Sequence, residues 1–220
     1  MKVFPTYHFA PNDLEADIEL RTVSGGTSLS GDETLIATDG GGRVFLEIGD
    51  SYLDDPELAL AWRAASALSD GGVTPFIVPL CDARHQMLGD ITIPVGGLPW
   101  WEESNFVYDE PHATLTAPAA LRATTLEIDT TLLPGPIRPG IWLSIDHATM
   151  RHRAYRIADI AGDTVTIRPP LREATAADTP VEFYDPKCVM RVDGDMRSPT
   201  NMGYANPGAA RFVEFAGAPA

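Results

Sequence analysis

GIWLSIDHATMRHRAYRIADIAGDTVTIRPPLREATAADTPVEFYDP, residues 140–186, is the stretch from which the fold is read. At period two it places Ile141, Leu143 and Ile145 on one face, then Tyr155 and Ile157, then Val165 and Ile167, then Val181 and Phe183. Four short strands are expected. Between the second and third lies Ala161-Gly162-Asp163, whose glycine suits the positive φ of a tight hairpin turn. The other connections are short and polar, which describes a small antiparallel barrel or sandwich. No catalytic signature lies inside it.

Upstream, Thr125–Asp129 alternates as a further strand, and Leu133–Gly140 is a stiff, proline-rich connection into the barrel. His147, Arg151, His152 and Arg153 are expected in a solvated turn after the first barrel strand, with Asp146 nearby. Such a turn offers no fixed face on which two histidines converge on a metal. Pro169-Pro170 ends a strand by removing ladder donors.

The N-terminal part also reads as extended segments between turns. Asp17–Val23 and Arg43–Ile48 alternate like half-buried strands, separated by Gly25-Gly26 and Asp39-Gly40-Gly41-Gly42. The glycine cluster lacks the spacing and Lys-Ser/Thr ending of a phosphate loop, so a flexible turn is expected. The one helix is expected near 56–69. A capping aspartate precedes Pro56 and Glu57, Leu58, Ala61, Trp62, Ala65 and Leu68 recur on one face, and Asp70-Gly71-Gly72 stops the run. Trp62 is expected in the core. Val73–Leu80 reads as a strand whose prolines suit a sheet edge.

Periodicity is lost over residues 91–116. There Trp100 and Trp101 stand on a breaker-rich loop, with three readings open: a sugar platform, a protein contact, or a lid folded on the core. Asn105–Tyr108 is a candidate strand, and 109–119 a domain boundary. Asp82 and His85 sit in a polar loop without a nucleophile at a recognisable spacing. Near the C-terminus, Cys188–Val192 reads as a strand and Asp193-Gly194-Asp195 as a turn. Arg211–Phe215 reads as a last strand that pairs back with the first domain.

Composition bounds the function. The chain has 220 residues, 44% hydrophobic and 21% charged, with 19 glycines and 19 prolines, as in a turn-rich globular β protein. Its 16 basic and 31 acidic residues give a net charge of −15, which disfavours binding along a phosphate backbone. The start, Met1-Lys2-Val3-Phe4-Pro5, lacks the apolar core of a signal peptide, and synthesis in the cytoplasm is expected. Cys81 and Cys188 are too far apart and too few for a zinc site or disulfide framework, so two free thiols are expected. Neither catalytic nor metal-binding nor cofactor-binding residues emerge from any spacing.

Two stretches resemble tail-tip proteins of long-tailed bacteriophages and prophages. The first runs from Leu60-Ala61-Trp62-Arg63-Ala64-Ala65 through Gly71-Gly72 to Phe76-Ile77-Val78-Pro79 and Asp82. The second comprises Gly140, Tyr155-Arg156-Ile157, Val165–Arg172, Val181, Phe183 and Pro186. Together they cover about half of the chain, and the glycine-rich, acidic start matches little. The resemblance implies a virion protein of the tail tip, a distal tail protein, whose β-rich belt domain forms a homo-oligomeric ring between tail tube and hub. A hexamer is the family expectation, with DNA passing through as unbound cargo and a smaller β-domain projecting outward. The resulting expectation is a mainly β chain with one α-helix. A belt domain spans 1–110, completed by a strand near 210–216, and a small antiparallel β-barrel spans 118–192. The chain is expected not to be an enzyme. A carbohydrate- or receptor-binding module using Trp100 and Trp101 is the alternative, and a hydrolase built on Asp82 and His85, or on His147 and His152, the remote one.

Overall fold

The computed structural model describes residues 1–9, 11–20, 22–37, 41–53, 55–80, 113–133, 135–197 and 207–219. The protein is mainly β, with one long helix and a nearly closed six-stranded antiparallel barrel. Asp82, His85, Trp100, Trp101 and Cys81 lie outside the described residues, as does the candidate strand Asn105–Tyr108.

A five-stranded sheet comprises β1 (Asp13–Glu19), β4 (Arg43–Tyr52), β5 (Phe76–Pro79), β12 (Lys187–Val192) and β13 (Pro207–Glu214), in the order β1-β4-β13-β12-β5. All pairings in it are antiparallel. The last strand therefore lies at the centre of a sheet begun by the first. Cys188–Val192, expected within the barrel, joins this sheet instead, because its alternate side chains Cys188, Met190 and Val192 belong to the core under it. β5 is an edge strand, as its proline suggested, and the N-terminal segment covers its outer side: Phe4 N–H donates to Ile77 O at 2.8 Å and Ile77 N–H to Lys2 O at 2.9 Å.

Asp55 caps helix α2 (Pro56–Leu68), its carboxylate accepting from Glu57 N–H at 2.9 Å. A single turn, α1 (Thr6–Phe9), precedes it in the chain. Trp62 is fully buried between Phe9, at 4.9 Å between ring centroids, and Phe4, at 6.2 Å. Ala65 is buried too, and Leu58 and Ala61 pack partly on this core. Leu68 departs from the expected stripe and is exposed, because the helix ends there, beyond the edge of the sheet's core.

The barrel contains β6 (Ala113–Leu115), β7 (Thr125–Asp129), β8 (Trp142–His147), β9 (Arg151–Ala161), β10 (Thr164–Arg168) and β11 (Pro180–Val181). Their order is β11-β6-β7-β10-β9-β8, and two backbone hydrogen bonds between Ser144 and Glu182, of 2.8 and 2.9 Å, bring β8 against β11. The β9–β10 turn is the two-residue Gly162-Asp163, with Gly162 at φ 62°. Leu143, Ile145, Tyr155, Ile157, Val165, Ile167, Val181 and Phe183 lie in the interior, as period two selects in the sequence, while Ile141, selected with them, precedes β8 and packs only partly against this core.

The opposite face of β8 and β9 is covered as well. Trp142 and Ala154 belong to the core of the five-stranded sheet, so Trp142 through Ile145 is an unbroken buried run. Strands covered on both faces lose the simple alternation.

Asp17–Val23 spans two strands rather than one. β1 ends at Glu19, and β2 (Thr22–Thr27) pairs with β3 (Glu33–Ala37) as the distal continuation of the β1–β4 hairpin. The result is an arm in which every residue from Thr22 to Ile36 is exposed. Its return limb reaches Gly41 and Gly42, at φ 63° and 99°. A Cβ at Gly41 would collide with the Pro170 ring, and one at Gly42 would meet the Glu19 carbonyl oxygen at 2.5 Å. Close approach, rather than flexibility alone, requires glycine at these two positions.

Candidate functional site

The most heavily charged buried group in the described structure is where the two sheets and the root of the arm meet. Glu214, at the end of β13, is 3% exposed. Its Oε1 accepts from Arg172 Nε at 2.8 Å, and its Oε2 accepts from Arg172 Nη2 at 2.7 Å and from the Val44 N–H at 3.2 Å. The same Arg172 Nη2 donates to Gly42 O at 2.7 Å. A two-pronged guanidinium from the barrel thus holds both the C-terminal strand and the base of the arm.

Arg153 of β9 completes the cluster. It is 1% exposed, its Nη1 lies 3.7 Å from Glu214 Oε1 and donates to Phe215 O, and its Nη2 donates to Gly217 O at 2.8 Å. The expected solvated turn is therefore corrected for Arg153 and His147, which are buried in β9 and β8 on the same face as Ile145 and Tyr155, where His147 bonds Tyr155 and Arg153 reaches the segment after β13. Arg151 and Asp146 remain largely exposed and pair at 3.6 Å. Glu173 accepts from the N–H groups of Thr149 and Met150 at 3.0 and 2.8 Å, which holds the hairpin turn.

His147 and His152 do not converge. His147 Nε2 shares a hydrogen bond of 2.8 Å with Tyr155 Oη, whereas His152 Nε2 lies 3.9 Å from Asp146. Tyr155 Oη also accepts from Arg172 N–H at 3.0 Å. Among the described residues no three His, Cys, Asp or Glu side chains are grouped to hold a metal ion. Burial lowers the His147 imidazole to about 4, with Arg153 adding to the effect while Glu173 and Asp146 oppose it. Burial also raises the Tyr155 phenol above its usual range and pushes the Cys188 thiol up to about 12, with Glu214 adding to both. Burial works against the Arg172 charge, but the Glu214 carboxylate outweighs it and its pKa is raised. At neutral pH the cluster thus presents a neutral imidazole, a protonated phenol and thiol, and fixed ion pairs. That chemistry suits a clamp rather than proton transfer or nucleophilic attack.

A second contact crosses the same junction. Arg156 Nη1 donates to Asp17 Oδ1 at 2.7 Å and Nη2 to Ala16 O at 3.0 Å, while the guanidinium lies 4.3 Å above the Trp142 ring. Sequence reasoning missed Arg153, Arg156, Arg172 and Glu214. The available signal was slight: Glu214 interrupts the apolar run Phe212-Val213 and Phe215, Arg153 and Arg156 lie within β9, and Arg172 follows Pro169-Pro170 outside any strand.

Two surfaces stand out in contrast to this junction. On the arm, Val23 lies opposite Ile36, Leu29 is fully exposed at the tip, and Leu35 points to the other face. The tip is internally braced: Ser28 N–H donates to Asp32 O at 2.8 Å and Asp32 N–H to Ser28 Oγ at 3.1 Å. Near the β5 edge, a groove of about 350 Å³ is lined by Met1, Lys2, Leu68, Val73, Pro75 and Phe76. Leu60, 63% exposed, extends the apolar character along the outer face of α2.

No protein-family model matches the chain, and no curated protein is significantly similar to it. No described helix is long and apolar enough to cross a membrane.

Proposed function

We propose that the protein is a structural component of a bacteriophage tail tip, a distal tail protein whose copies form a ring between tail tube and hub and let DNA pass. The observation that carries the assembly part of this reading is the arm. An isolated two-stranded hairpin is marginal in water, yet this one displays Val23, Leu29, Leu35 and Ile36 to solvent. Apolar side chains on both faces and at the tip of such an arm support its being covered by another protein. The clamp is consistent with it, since Arg172 and Glu214 fix the backbone at Gly42 and Val44 and so brace the arm at its root.

The net charge of −15 suits a conduit through which DNA slides without binding. The tail-tip identity itself rests on the resemblance of the helix region and the barrel. The deciding experiment is negative-stain electron microscopy with sedimentation velocity on the purified chain, together with mass spectrometry of phage particles from a host carrying its gene. Closed rings with an axial channel, and the chain among the virion proteins, are the expected results. A chain that stays monomeric and is absent from particles overturns the reading.

A further inference from the structure

The arm and the groove occur at opposite ends of the same five-stranded sheet. The arm extends the β1–β4 pair, with β1 at one edge, and the groove borders β5 at the other. We infer that the arm of one copy docks on the surface formed by the outer face of α2 and the groove beside β5 of a second copy, as the repeating contact of a head-to-tail assembly. This rests on the ring reading above and names its interface.

Three observations select a second copy as the occupant. First, position: a knob at one edge and a socket at the other make a heterologous contact, which repeats around an axis and closes a ring when the rotation permits. Two arms meeting each other would leave both grooves uncovered. Second, dimensions: the six-residue β2 is about 20 Å long at about 3.4 Å per residue, and the 13-residue α2 is also about 20 Å long at about 1.5 Å per residue. The arm therefore spans the helix, with Leu60, Leu68 and Val73, respectively 63%, 44% and 71% exposed, available along that length. Third, charge: the ionisable groups described on the arm, Asp32 and Glu33, are acidic, and the surface proposed for it carries Lys2 in the groove and Arg63 midway along α2, with its own acids, Glu57 and Asp70, towards the two ends of the helix. Contact between unlike charges steers the encounter and fixes its direction.

The helix supports the same conclusion from sequence. Leu60, Ala64 and Leu68, at i, i+4 and i+8, are exposed, while Trp62 and Ala65 on the other side are buried. Glu57 and Arg63 share that outer face, so it is a mixed surface with an apolar stripe, of the kind that packs on a partner with a polar rim.

Two complementary variants test this. One deletes Thr22–Ala37, leaving β1 and β4 joined by the remaining loop, and the other is Val73→Asp. Ile36→Asp is a second arm variant that keeps the chain length. Self-association is measured by sedimentation velocity, with near-ultraviolet circular dichroism as the check that each variant is folded. Wild-type chain is expected as a closed oligomer and each variant as a monomer, with self-association weakened at least about 100-fold when an unpaired carboxylate is placed in the contact. Mixing an arm variant with Val73→Asp pairs one intact groove with one intact arm, so one-to-one heterodimers are expected. If wild type and all variants form the same oligomer, the ring reading survives and the arm-groove contact is overturned. If the variants are monomeric but their mixture remains so, the two surfaces are not partners. A wild-type chain that is monomeric throughout overturns the arm-groove contact, and overturns the ring reading too when the chain is also absent from phage particles.

Discussion

Glu214 lies 3% exposed among guanidinium groups, while Leu29 stands fully in solvent at the tip of a hairpin. Each reverses the usual preference of its residue type, and the difference lies in what surrounds them. Around Glu214, Arg172, Arg153 and the Val44 N–H offer enough charge-assisted donors to replace water, so a carboxylate tolerates burial. Around Leu29 the described chain provides nothing to pack against. The junction is complete within one molecule; on our reading, the arm is complete only in an assembly.

The largest effect that would separate these regions is expected at Glu214. Glu214→Ala leaves the buried Arg153 and the partly buried Arg172 guanidinium without their carboxylate and is expected to destabilise the chain by about 3 kcal/mol or more, read as a shift in the denaturant midpoint. A loss under about 1 kcal/mol would mean that the junction does not depend on this charge. The pH dependence is next. Because the folded His147 imidazole is lowered to about 4 and an unfolded histidine titrates near 6.5, the unfolded chain binds the extra proton between those values. Its contribution to stability is full above pH 6.5 and is lost as the pH falls towards 4, by about 3 kcal/mol at about 1.36 kcal/mol per pH unit. His147→Gln should flatten that part of the wild-type stability profile, measured by denaturation from pH 7 to 4; an unchanged slope would refute the assignment.

A smaller change is expected from Arg156→Ala, about 1 kcal/mol, since its partner Asp17 is half exposed and the loss is mainly of stacking on Trp142. The smallest belongs to the arm. Leu35→Ser and Val23→Ser should move the stability of the isolated chain by no more than about 0.5 kcal/mol, because neither side chain is packed within it. A large loss in a monomeric chain would show that the arm folds against its own protein and would erase the contrast with the junction.

The barrel interior was legible because period-two alternation selected the side chains that fill it, and α2 was legible from its cap, its proline and its stripe. The junction was not legible, since its charged groups come from segments far apart in the chain and nothing local pairs Arg153 or Arg172 with Glu214. His147 and Arg153 read as solvated turn residues because β8 and β9 extend further towards their turn than their apolar residues indicate. Likewise the arm was hidden in what looked like one strand from Asp17 to Val23, because Leu20 continues the alternation of Ile18 past the end of β1 at Glu19 and no turn residue marks the change of sheet. The candidate tryptophans and the Asp82–His85 pair fall outside the described residues, so they add nothing to the site described.

By itself the sequence determined the local elements: where strands alternate, where Gly162 permits a two-residue turn, and where Asp55 and Pro56 start a helix. These depend on neighbours in the chain, through backbone sterics and hydrogen bonding at short range. Only the tertiary structure decided that Cys188–Val192 joins the first sheet, that Arg172 reaches Glu214 and Gly42, and that the arm stands clear of the core. Those outcomes depend on groups brought together from distant parts of the chain, where burial and charge pairing determine the result and no local pattern records them.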